Sequence, residues 1–204
     1  MLISFWAFKG ENAGATMAAA TQCRDIYSRL SDGKAGTGLW ALSGSAIGHY
    51  GFHLATKTGH QNAAIRNAFS KDPEANSWQL SYQGLFEFVS HDLNRQVLQL
   101  TDTTMKDIGF LAHWRFTPES LPTMMESASE AGKIWSKAGC ESAVLYGVQG
   151  SGVGQFAFET HFADEESFGK VTDALSDDPV FAEWQMKYWG TGTWHSNVMA
   201  NRIL

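Results

Sequence analysis

Ala174-Leu175-Ser176-Asp177-Asp178-Pro179, followed by Trp184-Gln185, has a near-copy earlier in this chain. The other copy is Ala68-Phe69-Ser70-Lys71-Asp72-Pro73, with Trp78-Gln79 at the same spacing, 106 positions earlier. The same offset puts Tyr82 and Gly84 on Tyr188 and Gly190, and Gly44-Ser45 on Gly150-Ser151. It also puts Gly48 on Gly154, Phe52 on Phe158, Ser90 on Ser196 and Leu98 on Leu204. No gap is needed from residue 33 to the end, and 16 of the 98 pairs are identical. Most mismatches in the apolar runs exchange Leu, Ile, Val or an aromatic. Solenoid repeats have periods of roughly 20–50 residues. The repeating unit is therefore a half-molecule with its own secondary structure, and the chain reads as a tandem duplication.

Each copy reads as strand, helix, strand, strand, helix, strand. In the first, residues 2–8 are β-rich, and 13–30 are helical and stopped by Asp32-Gly33. Residues 37–42 and 47–55 form a hairpin around Gly44, 61–69 form a helix, and a short helix follows Asp72-Pro73. A last strand begins at Leu85. In the second copy the strand is 108–116, the helix 118–137 with Pro118 in its first turn, and the hairpin 142–148 with 154–162. A helix over 166–175, a restart at Asp178-Pro179 and a strand over 193–199 complete it. The domains are 1–98 and 107–204, joined by a linker at 99–106.

This order is the split βαβ plan, a four-stranded antiparallel sheet with two helices on one face. Alternation along the strands is two-sided. Phe156, Phe158 and Phe162 oppose Gln155, Ala157, Glu159 and His161; Tyr50, Phe52 and Leu54 oppose His49, Gly51, His53 and Ala55. Phe110, Ala112, Trp114 and Phe116 oppose Leu111, His113 and Arg115. A sheet with two bulky faces must be covered on both. The natural cover is the sheet of the other copy.

Together with the helix, Asp-Pro and aromatic short helix of 68–82 and 174–188, this pattern resembles the dimeric α/β-barrel superfamily. Within it, the likeness is to the antibiotic-biosynthesis monooxygenase-like and stress-responsive barrel proteins. The resemblance spans almost the whole chain. It implies an α+β fold: two tandem ferredoxin-like βαββαβ units whose antiparallel sheets pack face to face as an intrachain dimeric α/β barrel. Most relatives build the barrel from two chains, so this chain resembles a fused pair. Relatives include cofactor-free oxygenases, haem-degrading enzymes, decarboxylases, isomerases and proteins without known activity. The haem-degrading relatives take an iron-ligating histidine from the second-helix region, with a nearby Trp and a first-strand Asn. Trp78 and Trp184 lie in that region here, but 79–84 and 185–190 contain no His and neither first strand contains Asn. His60, at the start of the first copy's second helix, is a poor match. The expectation is no haem and no other cofactor.

Bulk properties exclude several classes. A net charge of −6 without a Lys/Arg cluster argues against nucleic acid. No apolar run approaches the roughly 18 residues that span a bilayer, and the amino-terminal MLISFWAFKG reads as a strand rather than a signal peptide. A cytoplasmic protein is expected. Cys23 and Cys140 match no metal or redox spacing and read as free, partly buried thiols. Gly147 to Gly154 sits in a hairpin, not in the strand-to-helix context of a nucleotide loop. There is no G-x-S-x-G and no Cys–His nucleophile pair.

Positions kept between the copies are explained by folding: turn glycines, helix-capping Asp72 and Asp178, and Trp78 and Trp184 as core residues. Chemistry belongs where the copies differ, and no histidine is duplicated at this offset. His49 falls opposite Gln155, His53 opposite Glu159, His113 opposite Ala7, His161 opposite Ala55, His195 opposite Val89 and His91 opposite Asn197. Facing sheets would bring His49 and His53 towards Glu159 and His161, giving a His–Glu general base. Arg115 would orient a carboxylate or enolate. Trp6, Phe52, Trp114, Phe158 and Trp194 would line or flank the substrate cavity. Metal is not expected, because His49 and His53 lie about 13 Å apart along a strand. Two functions remain open. One is a cofactor-independent monooxygenase-like enzyme acting on a small aromatic or polyketide-like substrate. The other is a non-catalytic barrel that binds a small apolar ligand or serves a structural or assembly role. A homodimer of the fused barrel is a further expectation.

Overall fold

The computed structural model describes residues 1–101 and 107–204. They divide into two compact units. Unit 1 comprises Met1–Arg95, Gln149–Ser151 and Arg202–Leu204; unit 2 comprises Gln96–Val148 and Gly152–Asn201. Of the expected linker, Gln99 ends a strand, Leu100 and Thr101 bond to Ala143, and 102–106 lie outside the described residues.

Unit 1 runs β1 (Leu2–Gly10), α1 (Ala13–Leu30), β2 (Gly36–Gly44), β3 (Tyr50–Thr56), α2 (Gly59–Phe69), α3 (Pro73–Ser81) and the first part of β4 (Phe86–Gln99). Its sheet is antiparallel in the order β4-β1-β3-β2. Unit 2 runs β5 (Phe110–Pro118), α4 (Leu121–Lys137), β6 (Ser142–Gly150), β7 (Phe156–Phe162), α5 (Glu165–Ser176), α6 (Pro179–Tyr188) and β8 (Gly192–Arg202). Its sheet repeats the order as β8-β5-β7-β6. These are two pseudo-symmetric ferredoxin-like units in an α+β fold. No helix among the described residues is long and apolar enough to cross a membrane.

Helix starts follow the caps. Asn12, Thr58, Asp72, Ser120, Asp164 and Asp178 each accept a backbone N–H of the first turn through the side chain. Pro73 and Pro179 occupy first-turn positions, where a missing N–H costs nothing. Among the expected boundaries that move, two change what an element is. Pro118 ends β5 instead of opening α4; Ser120 caps that helix and Pro122 takes the first turn. Residues 47–49 are not strand: backbone bonds from Ala46 to Ser43 and from His49 to Ala46 build a turn, with Gly48 at φ 81°. His49 thus lies just before β3.

The apolar face of each sheet packs on its helices. In unit 1, Phe8, Phe52 and Leu54 meet Ala20, Cys23 and Ile26 of α1 and Ile65 and Phe69 of α2. In unit 2, Phe110, Ala112, Phe158 and Phe162 meet Ala131, Ile134 and Trp135 of α4 and Val171 and Leu175 of α5. Trp78 Nε1 donates to Ala19 O at 2.8 Å and Trp184 Nε1 to Ser127 O at 3.0 Å, so each indole ties the short helix to the long one.

The structural repeat corrects the register of the first third. β3 and β7 begin 106 residues apart, but β1 and β5 begin 108 apart. Phe5 pairs with His53, and His113 with Glu159. The counterpart of His113 is therefore Phe5, not Ala7. The same shift superposes Trp6 on Trp114 and Phe8 on Phe116. Both first strands carry a bulge at matching places, Ala7/Phe8 and Arg115/Phe116.

Candidate active site

Between the sheet and helices of unit 2 lies a cavity of about 490 Å³, within the range of small-molecule sites. β5 supplies Trp114 and Phe116, α4 supplies Met124, Ala128, Ala131 and Trp135, and β7 supplies Phe158. α6 supplies Phe181, Trp184 and Tyr188. The aromatic rings support each other: Trp114 and Trp135 are 5.3 Å apart, and Phe181 and Trp184 stack at 5.7 Å. The rim is polar. β8 brings Trp194, His195, Ser196 and Asn197 to it. The exposed His195 Nε2 is 2.8 Å from Thr117 Oγ1. The β5–β8 bulge falls at this rim, next to the Phe116–Trp194 pair; bulges re-aim side chains in this way beside active sites.

Unit 1 holds the corresponding cavity, about 270 Å³, lined by Trp6, Tyr27, Phe52, Phe69 and Trp78 among others. It is smaller where Phe86 and Cys23 stand in place of Gly192 and Ala131. The five expected ligand-binding aromatics thus divide. Trp114, Phe158 and Trp194 line the unit 2 cavity; Trp6 and Phe52 line the unit 1 cavity.

Of the expected acid–base residues, Glu159 and His161 lie on the face of β7 opposite the cavity-lining Phe158, and His49 lies in the turn before β3. Glu159 is buried and takes two imidazoles. His113 Nδ1 is 2.8 Å from Oε2, and His161 Nε2 is 2.8 Å from Oε1. Burial alone would raise the Glu159 carboxyl, but the hydrogen bonds and charges of His113 and His161 outweigh it and hold the group well below the usual carboxylate range. An ionised carboxylate only accepts, so both facing nitrogens carry hydrogen. His161 Nδ1 lies 3.3 Å from Ser142 Oγ, and Ser142 Oγ accepts from Gln99 Nε2 at 3.3 Å. A polar chain results, buried at Ser142, His161 and Glu159 and half-buried at its ends: Gln99, Ser142, His161, Glu159, His113. Tyr146, also buried, has its hydroxyl without a hydrogen-bond partner among the described residues. Its phenol is raised well above the ordinary value by burial and then by the Glu159 charge.

His53 belongs to unit 1, where Trp40 Nε1 donates to its Nδ1 at 2.7 Å. Arg115, on β5, has its Nη1 3.2 Å from where a Cβ on Gly152 would lie. Among the described residues, no group of three or more His, Cys, Asp or Glu is placed to hold a metal ion. Cys23 and Cys140 are free and buried, and burial pushes their thiols up to about 12 and about 11. For haem, α6 brings Trp184 to the cavity but no histidine, and the histidine that does line it, His195, comes from a strand and is held by Thr117. The residues present do not fit that ligand pattern.

No protein-family model matches the chain, and no curated protein matches it. Solved structures do. An anthrone oxidase-like protein aligns over 100% of this chain and 91% of its own, with a TM-score of 0.61 at 12% identity. A Lactobacillus acidophilus NCFM protein assigned as a monooxygenase aligns over 100% and 94%, with a TM-score of 0.55 at 10% identity. A chlorite dismutase variant from Candidatus Nitrospira defluvii aligns over 100% and 91%, with a TM-score of 0.58 at 8% identity. The chain shares its fold with these oxidase, monooxygenase and chlorite dismutase structures. At such identities the likeness is one of fold alone.

His113 and Ser142, which complete the Glu159 chain, are not among the candidates read from the sequence, because alternation along one strand carries no signal of a cross-strand partner. His195 is not among them either, although it is an unduplicated histidine and follows the large aromatic Trp194.

Proposed function

We propose that unit 2 is a cofactor-independent, monooxygenase-like site for a small planar aromatic or polyketide-like substrate. The observation that carries this reading is the aromatic cavity with a polar edge along β8, where His195 is oriented by Thr117. A fused-ring substrate with an acidic CH₂ or phenol would stack among Trp114, Trp135 and Phe158 and present its acidic edge to the rim. His195 takes the proton as general base, and the apolar walls keep water from the resulting carbanion. Dioxygen then oxidises the substrate itself. For an activated methylene the balance is CH₂ + O₂ → C=O + H₂O, the substrate supplying all four electrons. The solved anthrone oxidase-like relative supports this class of chemistry. We further read the pseudo-symmetry as a tandem duplication whose sheets close one barrel within the chain. β4 and β8, which each give residues to both units, support that reading.

Binding tests it first. Anthrone should quench tryptophan fluorescence saturably, and Ala128→Phe, which fills the cavity, should abolish the quenching while leaving the circular dichroism spectrum unchanged. Quenching that survives the plug removes the cavity from the account. Saturable binding without turnover would favour the non-catalytic ligand-binding reading.

A further inference from the structure

The unit 1 cavity differs from its twin in charge. Arg66, exposed on α2, lines it, with its guanidinium 5.9 Å from the centre of the Trp6 ring. Among the described residues no carboxylate pairs with Arg66, whereas Arg29 holds Asp72 and Glu74, and Arg24 holds Asp25. No Asp or Glu lines the cavity. The same Trp6 ring stacks on His91 at 4.9 Å with 8° between planes, and His91 Nε2 is buried without a hydrogen-bond partner among the described residues. Burial, and then the Arg66 charge, hold the His91 imidazole below its ordinary value. A neutral imidazole adds no charge, the Asp92 carboxylate acts on His91 in the opposite sense to Arg66, and among the described residues that line the cavity Arg66 is the one charged side chain. At the matching positions of unit 2 stand Thr172 and Asn197, both neutral.

We propose that the unit 1 cavity binds a small aromatic carboxylate, its ring among Trp6, Phe52, Phe69 and Trp78 and its carboxylate on Arg66. At about 270 Å³ the space suits one or two fused rings. A guanidinium offers a carboxylate two parallel N–H donors, and an aromatic wall beside them favours a planar anion over an aliphatic one. The two units thus offer one architecture with two ligand classes: neutral in unit 2, anionic in unit 1. This assignment is independent of any turnover in unit 2.

The test is calorimetric titration of the full chain with 2-naphthoate and with the neutral 2-naphthalenemethanol. The expected result is saturable naphthoate binding that weakens at least tenfold in Arg66→Gln and by an intermediate factor in Arg66→Lys, which keeps the charge but loses the fork. The naphthalenemethanol affinity should change less than twofold in both variants. Arg66 is exposed, so both should fold. Naphthoate binding that is absent, or equal in wild type and Arg66→Gln, overturns the proposal.

Discussion

Glu159 shows how one side chain can fix the interior of a sheet. Its carboxylate is the acceptor for His113 and His161, and its depressed titration is a stability statement. The folded value lies below the unfolded one, so the stabilisation is fully present above about pH 4.3, the unfolded carboxylate value. It is lost as pH falls through the folded value. Acid unfolding monitored by circular dichroism should therefore shift to higher pH in Glu159→Leu. At neutral pH that variant, which leaves two buried imidazoles without their acceptor, should lose about 3–5 kcal/mol by urea denaturation. The role proposed for His195 is different. His195→Ala should leave urea stability within about 0.5 kcal/mol, as an exposed substitution, but slow turnover of a bound anthrone roughly 10²-fold or more. The Glu159–His161 pair was legible in the sequence, since alternation along 155–162 put both on one face. Its third member was not. The β5–β7 register sets His113 directly beside Glu159, a cross-strand pairing that alternation along a single strand does not reveal.

At the scale of elements, α4 is placed by what it lacks. A Cβ on Gly132 would come within 2.6 Å of Leu100 O and 2.7 Å of Leu100 Cβ, so helix and chain touch through a missing side chain. Gly132→Ala should cost about 1–3 kcal/mol through overpacking, read by thermal melting. Gain of stability from the better helix former would show that the contact yields. The short helices hang on indole donors, so Trp184→Phe should lose about 1 kcal/mol for the bond to Ser127 O. It should also loosen one wall of the cavity. Helix and strand order was readable from the sequence because caps and Asp-Pro pairs set the starts. The cavities were not, because the same aromatics that pattern a strand as core also line a void. Only packing decides which, and Gly192 and Ala131 against Phe86 and Cys23 tip unit 2 towards the larger one.

At the scale of the whole molecule, the two units are not cut at a single point in the chain. Arg202–Leu204 belongs to unit 1, where Leu39 N donates to Leu204 O at 3.1 Å and Ile203 N donates to Leu39 O at 2.8 Å. Leu39 is fully buried. Deleting Arg202–Leu204 strips a core strand residue of these bonds and should lower Tm on the order of 5 °C. An unchanged Tm would mean the terminal bonds carry no stability. What the pseudo-symmetry provides is one scaffold with two differently furnished cavities, and the oxidative chemistry is proposed for the larger. The most direct test of that assignment is dioxygen uptake by the chelator-treated protein with anthrone. The expected result is uptake of one O₂ per anthrone, well above the autoxidation rate, with anthraquinone as product and with loss in both Ala128→Phe and His195→Ala. Uptake no faster than autoxidation, or uptake that persists with the cavity filled, would contradict it.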